Sequence, residues 1–206
     1  MKIYEKVKDR IEKRVEDFKS VRERSDDVEM FKEFVFCLLT PQSKAKVCWR
    51  AVEKMADDGT LFEGDERSIY DHLKGVRYRE NKARYVLEAR ERFFKDGKFI
   101  LKSLLSSTDP FNVREWLVKN VKGMGYKEAS HFLRNVGYGL DLAILDRHIL
   151  KNLLRCGVIE EIPKTLTRRR YLTIEEKMRE FSKELGIPMS HLDLLLWYKE
   201  AGDVFK

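Results

Sequence analysis

No CxxC pair occurs in the sequence, and its three cysteines, Cys37, Cys48 and Cys156, stand far apart. A zinc knuckle and a four-cysteine iron–sulfur cluster are excluded on that count. The apolar neighbours of each (VFCLL, KVCWR, LRCGV) predict buried, reduced thiols in a cytosolic protein. No apolar run approaches the ~20 residues of a membrane span. The first residues, MKIYEKVKDRIEKRVEDF, alternate charge and hold no apolar signal core. Strand-like alternation, internal repeats and low-complexity tracts are absent, and the RRR run at 168–170 is too short for a basic tail. Glutamine occurs once, as Gln42, among abundant Lys, Glu and Arg, a bias that fits a heat-adapted host.

What is present points to a folded helical chain. Hydrophobic residues make up 43%, enough for one core or two small lobes sharing a cleft at 206 residues. The 42 basic residues outnumber the 35 acidic ones, giving +7. That excess suits an anionic partner such as nucleic acid, and equally an ordinary basic surface. Ile3, Val7, Ile11, Val15 and Phe18 recur at helical spacing, so 3–19 is read as an amphipathic helix. VEMFKEFVFCLL at 28–39 is apolar nearly all round and reads as a buried helix stopped at Thr40-Pro41. Ser43 is placed as the cap of a helix over 44–57, with further helices near 66–74 and 80–96. Asp109 and Pro110 start a helix that runs to about Asn120. Asp146 caps another that stops at Gly157, Thr173 is read as the cap of the next, and PMSHLDLLLWYKEAG is the last. The class is all-α.

The stretch VKGMGYKEASHFLRNVG, 121–137, sets Gly123 and Gly125 in a tight turn between two helices. Such a turn leaves backbone N–H groups at a helix N-terminus, a grip on a phosphate that needs no base sequence, or else an ordinary helix–helix turn. Lys127 falls in the first turn of the second helix, where the positive helix end disfavours a further positive charge. A neutral amine there is a nucleophile; otherwise it is a surface lysine touching a phosphate. Asp146, as a helix cap, is held and oriented by N–H groups. A fixed carboxylate beside a neutral amine suits displacement at a sugar carbon: it stabilises growing positive charge and accepts the amine's proton. His148, one turn on, can donate to a phosphate.

The hairpin VKGMG, Lys127, Asp146 and the Asp146-Arg147-His148 triplet together resemble the helix-hairpin-helix base-excision glycosylases, most of all the 8-oxoguanine DNA glycosylase/AP lyases. GVRYRENKARYV, 75–86, is similar to that family's Gly-aromatic-basic segment, and LLTPQSKAKV, 38–47, to the loop whose residue fills the hole in the duplex. The ending LLLWYKEAGDVFK resembles the short second family, which lacks a β-rich N-terminal domain. Endonuclease III relatives carry a four-cysteine cluster that this chain lacks, and Lys122 stands where many relatives have proline. The resemblance implies two helical lobes with a DNA-binding cleft between them. One lobe is 28–137, with the helix-hairpin-helix at about 110–137; the other joins 1–27 to 138–206 and completes the base pocket. It implies Lys127 as the nucleophile at C1′, Asp146 as its electrostatic partner, and Gly123, Gly125 and His148 on the DNA backbone. Gln42 is implied to enter the vacated stack, Lys206 to line the base pocket, and the carbonyls of Val121 and Met124 to suit a monovalent cation. The partner implied is double-stranded DNA containing oxidised guanine, met by a monomer in the prokaryotic nucleoid, with no obligatory metal or organic cofactor.

Reading 8-oxoguanine needs an acceptor near N7 and apolar walls. Asp193 and Trp197 share a helix face at i and i+4 and supply one of each, with Tyr198 beside them; the same spacing also serves a plain core. Met124 and Phe132 are read as core, and so are Trp49 and Trp116. Three functions stand open at this point: a bifunctional 8-oxoguanine glycosylase/lyase, a cluster-free lyase of endonuclease III type for oxidised pyrimidines, and a non-catalytic DNA-binding hairpin module.

Overall fold

The protein is described by a computed structural model over residues 2–24, 26–95, 98–106 and 109–204. Helices dominate. In chain order they are α1 (Lys2–Arg24), α2 (Asp27–Leu39), α3 (Ala45–Asp57), α4 (Thr60–Glu63), α5 (Glu66–His72), α6 (Arg79–Phe93), α7 (Leu101–Ser106), α8 (Pro110–Asn120), α9 (Tyr126–Asn135), α10 (Arg147–Arg155), α11 (Arg168–Leu185) and α12 (Met189–Ala201). The expected all-helical class is correct save for one ribbon, β1 (Phe94–Lys95) paired antiparallel with β2 (Lys98–Phe99). Two residues per strand are too few to show alternation in a sequence.

Two compact units divide the chain: Arg24–Phe132, and Met1–Glu23 with Leu133–Lys206. The first is built around α2. Met30, Phe31, Phe34, Val35, Phe36 and Leu39 are fully buried there, because a helix apolar on every side has no face to give to water. Phe34 meets Phe93 of α6 and Phe132 of α9 edge-on, at 4.9 and 5.1 Å between ring centroids. Each such ring contributes roughly 1.5–3 kcal/mol by burial, and their tilted geometry adds a little more. Met124 and Phe132 are core, as read from the sequence. Trp49 and Trp116 are only half-buried: Trp49 lies edge-on to Phe36 at 5.6 Å, with the Lys32 ammonium 5.8 Å from its ring centroid.

In the other unit the α1 stripe is Tyr4, Val7, Ile11, Val15 and Phe18. Tyr4 takes the place expected for Ile3, which is 47% exposed. Positions 3 and 4 are both one turn before Val7, and Tyr4 wins because its hydroxyl also reaches His191 Nδ1 at 2.9 Å. Gly137 (φ +74) lets α1 approach closely: a Cβ there would sit 2.6 Å from the Phe18 carbonyl oxygen. Arg134 and Asp193 form a buried ion pair at 2.5 Å, with the guanidinium also 4.9 Å from the Phe18 ring.

Several caps differ from expectation. Asp109 and Asp146 cap α8 and α10 as read. The cap of α11 is Thr167, not Thr173, which lies inside the helix. The N-cap position of α3 is Lys44 without a side-chain bond, because the Ser43 hydroxyl is engaged elsewhere. Cys37 and Cys48 are buried as expected; Cys156 is exposed, since it sits at the C-cap of α10 rather than on its inner face. No helix among the described residues is long and apolar enough to cross a membrane.

Candidate active site

The hairpin is α8, the turn Val121–Gly125, and α9. Val121 leaves the helix in an extended conformation, and its carbonyl accepts the Met124 N–H at 3.3 Å. Gly123 adopts φ +79, and a Cβ there would lie 2.4 Å from Cδ2 of Tyr85. Both the backbone conformation and the neighbouring ring therefore demand glycine. Gly125 differs from expectation. Its N–H is not open but donates to Glu128 Oε2 at 3.2 Å, because a carboxylate three residues into a helix folds back on the residue before it. A phosphate gripping that N–H must displace Glu128. Lys122 pairs with Glu88 at 3.0 Å on the surface, an exposed pair that a phosphate can replace at little cost.

Lys127 projects from the first turn of α9 with its side chain 22% exposed. Its Nζ donates to Thr40 Oγ1 at 3.2 Å and lies 3.7 Å from Glu128 Oε1. The expected repulsion by the helix end is thus opposed by an adjacent anion on the same turn. Glu128 serves both ends of this arrangement, one oxygen on the hairpin N–H and the other beside the amine.

Thr40 belongs to the turn between α2 and α3, which also carries Gln42. Gln42 is exposed and holds φ +56, an uncommon value for a residue with a Cβ. Its Oε1 accepts from the Tyr78 hydroxyl at 3.4 Å and from Arg77 Nη1 at 3.5 Å. Tyr78, 60% exposed, shares the same left-handed conformation at φ +56. Beside this turn Lys82 of α6 is buried, and its Nζ donates to the carbonyls of Leu39 and Pro41, both at 2.7 Å, and to Ser43 Oγ at 3.1 Å. Burial pushes the Lys82 amine below its ordinary pKa, with Cys48 and Glu128 pulling the other way and Lys127 adding to the downward push. Burial likewise drives the Cys48 thiol up to about 11, against smaller lowering effects from Lys82, Ser43 and Lys127. Cys48 is therefore an inert thiol, its Sγ donating to the Leu39 carbonyl at 3.2 Å.

Asp146 lies in the other unit. Asp146 Oδ1 accepts the N–H groups of His148 and Ile149, both at 2.8 Å. Its Oδ2 takes no hydrogen bond among the described residues. His148 is placed with Nε2 accepting from Arg147 Nε at 3.3 Å and Nδ1 3.9 Å from Glu200 Oε2. Glu200, on α12, also meets Lys151 and Arg155 of α10 at 3.4 and 2.6 Å. Burial raises its pKa, but Lys151, Arg155 and Asn152 outweigh that and hold it below the ordinary value. This cluster fastens the helix of Asp146 to the helix of Trp197.

The base-pocket residues separate. Asp193 is 4% exposed and turned to Arg134, so it is an internal ion-pair partner rather than an open acceptor. Trp197 and Tyr198 are half-buried, and the Arg10 guanidinium lies 5.6 Å from the Tyr198 ring centroid. Lys206 lies outside the described residues. Thr40, Lys82 and Glu128 were missed in the sequence. Two of them left a trace: Lys82 stands in the inward α6 register of Val86, Ala89 and Phe93, and Glu128 stands three after Gly125 where a capping carboxylate belongs. Thr40 left none.

Comparison with known proteins agrees over the full length. A family model described as 8-oxoguanine DNA glycosylase matches residues 11–187. An 8-oxoguanine DNA glycosylase/AP lyase of Fusobacterium nucleatum is 48% identical, covering all of this chain and 95% of the relative. One of Methanocaldococcus jannaschii is 45% identical over 97% of this chain and 93% of its own. The crystal structure of the Methanocaldococcus jannaschii 8-oxoguanine glycosylase/lyase with a 15mer DNA containing 8-oxoguanine is similar at a TM-score of 0.89 and 41% identity, covering 100% of this chain and 98% of that one. The 8-oxoguanine DNA glycosylase of Thermotoga maritima gives the same TM-score at 39% identity, over 100% of this chain and 95% of that one. With a hairpin that presents a lysine and agreement running from end to end, the chain belongs to the 8-oxoguanine DNA glycosylase family.

Proposed function

We propose that the protein removes 8-oxoguanine from double-stranded DNA through a lysine Schiff base and then cuts the strand 3′ to the resulting abasic site. The observation that carries this reading is the Lys127 amine, held on the hairpin helix by Thr40 and Glu128 within a family of glycosylase/lyases. Lys127, in its neutral form, attacks C1′ and the C1′–N9 bond breaks, the base leaving with that electron pair and taking a proton from solvent. Asp146 Oδ2 stabilises the positive charge growing on the sugar and receives the proton the amine gives up, while Oδ1 stays bound to its two N–H donors. Opening of the sugar ring gives the iminium between Nζ and C1′. Loss of a C2′ proton then expels the 3′ phosphate oxygen, and hydrolysis frees the lysine.

Gly123, Gly125 and His148 hold the DNA backbone in this reading, and Gln42 enters the stack left by the flipped nucleotide. The donor set of the hairpin suits a monovalent cation: the Val121 carbonyl has one lone-pair direction on the Met124 N–H and another remaining, and the Met124 carbonyl is equally neutral. Bound there, the cation would add positive charge beside the DNA phosphate. Trp197 and the C-terminal Lys206 wall the base, and Asp193 acts through Arg134 by keeping α12 in place. The protein acts as a monomer at the prokaryotic nucleoid.

Borohydride reduction on duplexes containing 8-oxoguanine or thymine glycol tests the reading. Wild type forms a covalent adduct on the first and far less on the second; equal adducts on both would favour an oxidised-pyrimidine lyase. Lys127→Gln keeps DNA binding and loses trapping and strand cleavage by at least about a thousandfold. Cleavage retained in that variant would remove Lys127 as the nucleophile.

A further inference from the structure

Lys82 has no role in the chemistry above, yet its buried amine makes three hydrogen bonds. A buried ammonium is tolerated only when its donors are satisfied, and all three partners of Lys82 lie on one short segment: Leu39 O, Pro41 O and Ser43 Oγ. Those three bracket Thr40 and Gln42. Ser43 Oγ also accepts the Arg77 N–H at 3.0 Å, which ties the same turn to the one carrying Tyr78. Gln42 keeps a left-handed backbone, a state that persists only where the surroundings enforce it. An apolar residue at position 82 would fill the space; what it could not do is fix the Leu39 and Pro41 carbonyl directions ahead of an exposed, strained glutamine.

We propose that Lys82 is a positioning residue for base flipping: it locks the α2–α3 turn so that Gln42 is already aimed into the duplex before DNA arrives. This rests on the reading that Gln42 enters the vacated stack. Releasing the turn makes insertion pay the cost of ordering Gln42, and that cost falls on lesions that must be pulled out of a base pair. An unpaired lesion leaves its stack at little cost and needs no such help.

The test is single-turnover excision from two duplexes, with 8-oxoguanine opposite cytosine and opposite an abasic site. The readout is the ratio of paired to unpaired rates, which loss of folded protein would not move. Lys82→Met lowers this ratio by about tenfold, the scale of one charge-assisted hydrogen bond. Ser43→Ala, which removes one acceptor at a partly exposed position, lowers it by about threefold and decides the matter should Lys82→Met fail to fold. Gln42→Ala, measured in parallel, lowers the ratio at least as far. If Gln42→Ala leaves the ratio unchanged, the role of Gln42 falls and this inference with it. If Gln42→Ala lowers it while the folded Lys82 and Ser43 variants keep the wild-type ratio, Lys82 is structural only and the inference is overturned.

Discussion

Asp146 uses one of its two carboxylate oxygens as a helix cap. Oδ1 accepts both cap N–H groups at 2.8 Å, which fixes the carboxylate without using Oδ2. Asn caps a helix nearly as well as Asp, so Asp146→Asn separates the cap from the charge. The variant should keep its melting temperature within a few degrees and lose about 10²–10³ in single-turnover excision. A large loss of stability would show that the charge itself holds α10, and unchanged excision would remove Asp146 from the chemistry. The places of Asp146 as a cap and of Lys127 in the first turn of α9 were legible because each is announced locally, one by its position before a helix and the other by the glycines ahead of it. Lys82 and Thr40 were not, because their partners lie 39–43 and 87 residues away in sequence. Glu128 was overlooked although its three-residue distance from Gly125 is a local signal.

Among the elements, the hairpin turn is the least forgiving. Gly123→Ala meets a left-handed backbone and the Tyr85 ring together. It should cost roughly 1–3 kcal/mol in urea unfolding; a loss under about 0.5 kcal/mol would mean that the ring swings aside freely. Helix existence was read well and helix starts less well, for identifiable reasons. Thr167 and Thr173 flank the run Arg168–Leu172 and both have the type of a cap, but arginines are good helix formers that extend α11 back to Thr167. Ser43 had the right type for a cap, but Arg77 and Lys82, from a distant segment, compete for its hydroxyl and win. The four-residue α4, the six-residue α7 and the β1–β2 ribbon carry too few residues for periodicity to register.

The whole molecule should lose stability at alkaline pH through Cys48. Unfolded, the thiol gives up its proton near 9.0; folded, it holds it to about 11. Between those values the folded state binds the extra proton, so this contribution is complete below pH 9 and disappears as pH rises towards 11. Its full size is about 2–3 kcal/mol. Thermal unfolding from pH 8 to 10.5 should fall more steeply for wild type than for Cys48→Ala; parallel slopes would mean that the thiol ionises freely in the folded protein. The chain divides into two compact units, with the first 23 residues grouped with the last 74; that pairing joins segments far apart in sequence, so periodicity and capping do not show it, and the expectation of two lobes comes from the family resemblance. Gln42 and Tyr78 are the described non-glycine residues with positive φ, and their side chains touch. An engineer hunting for thermal hardiness would be drawn to them, since glycine at either would relax the main chain. That gain in robustness would come from the tip proposed to enter the duplex, so hardier descendants altered at Gln42 should be the ones that search DNA for damage poorly.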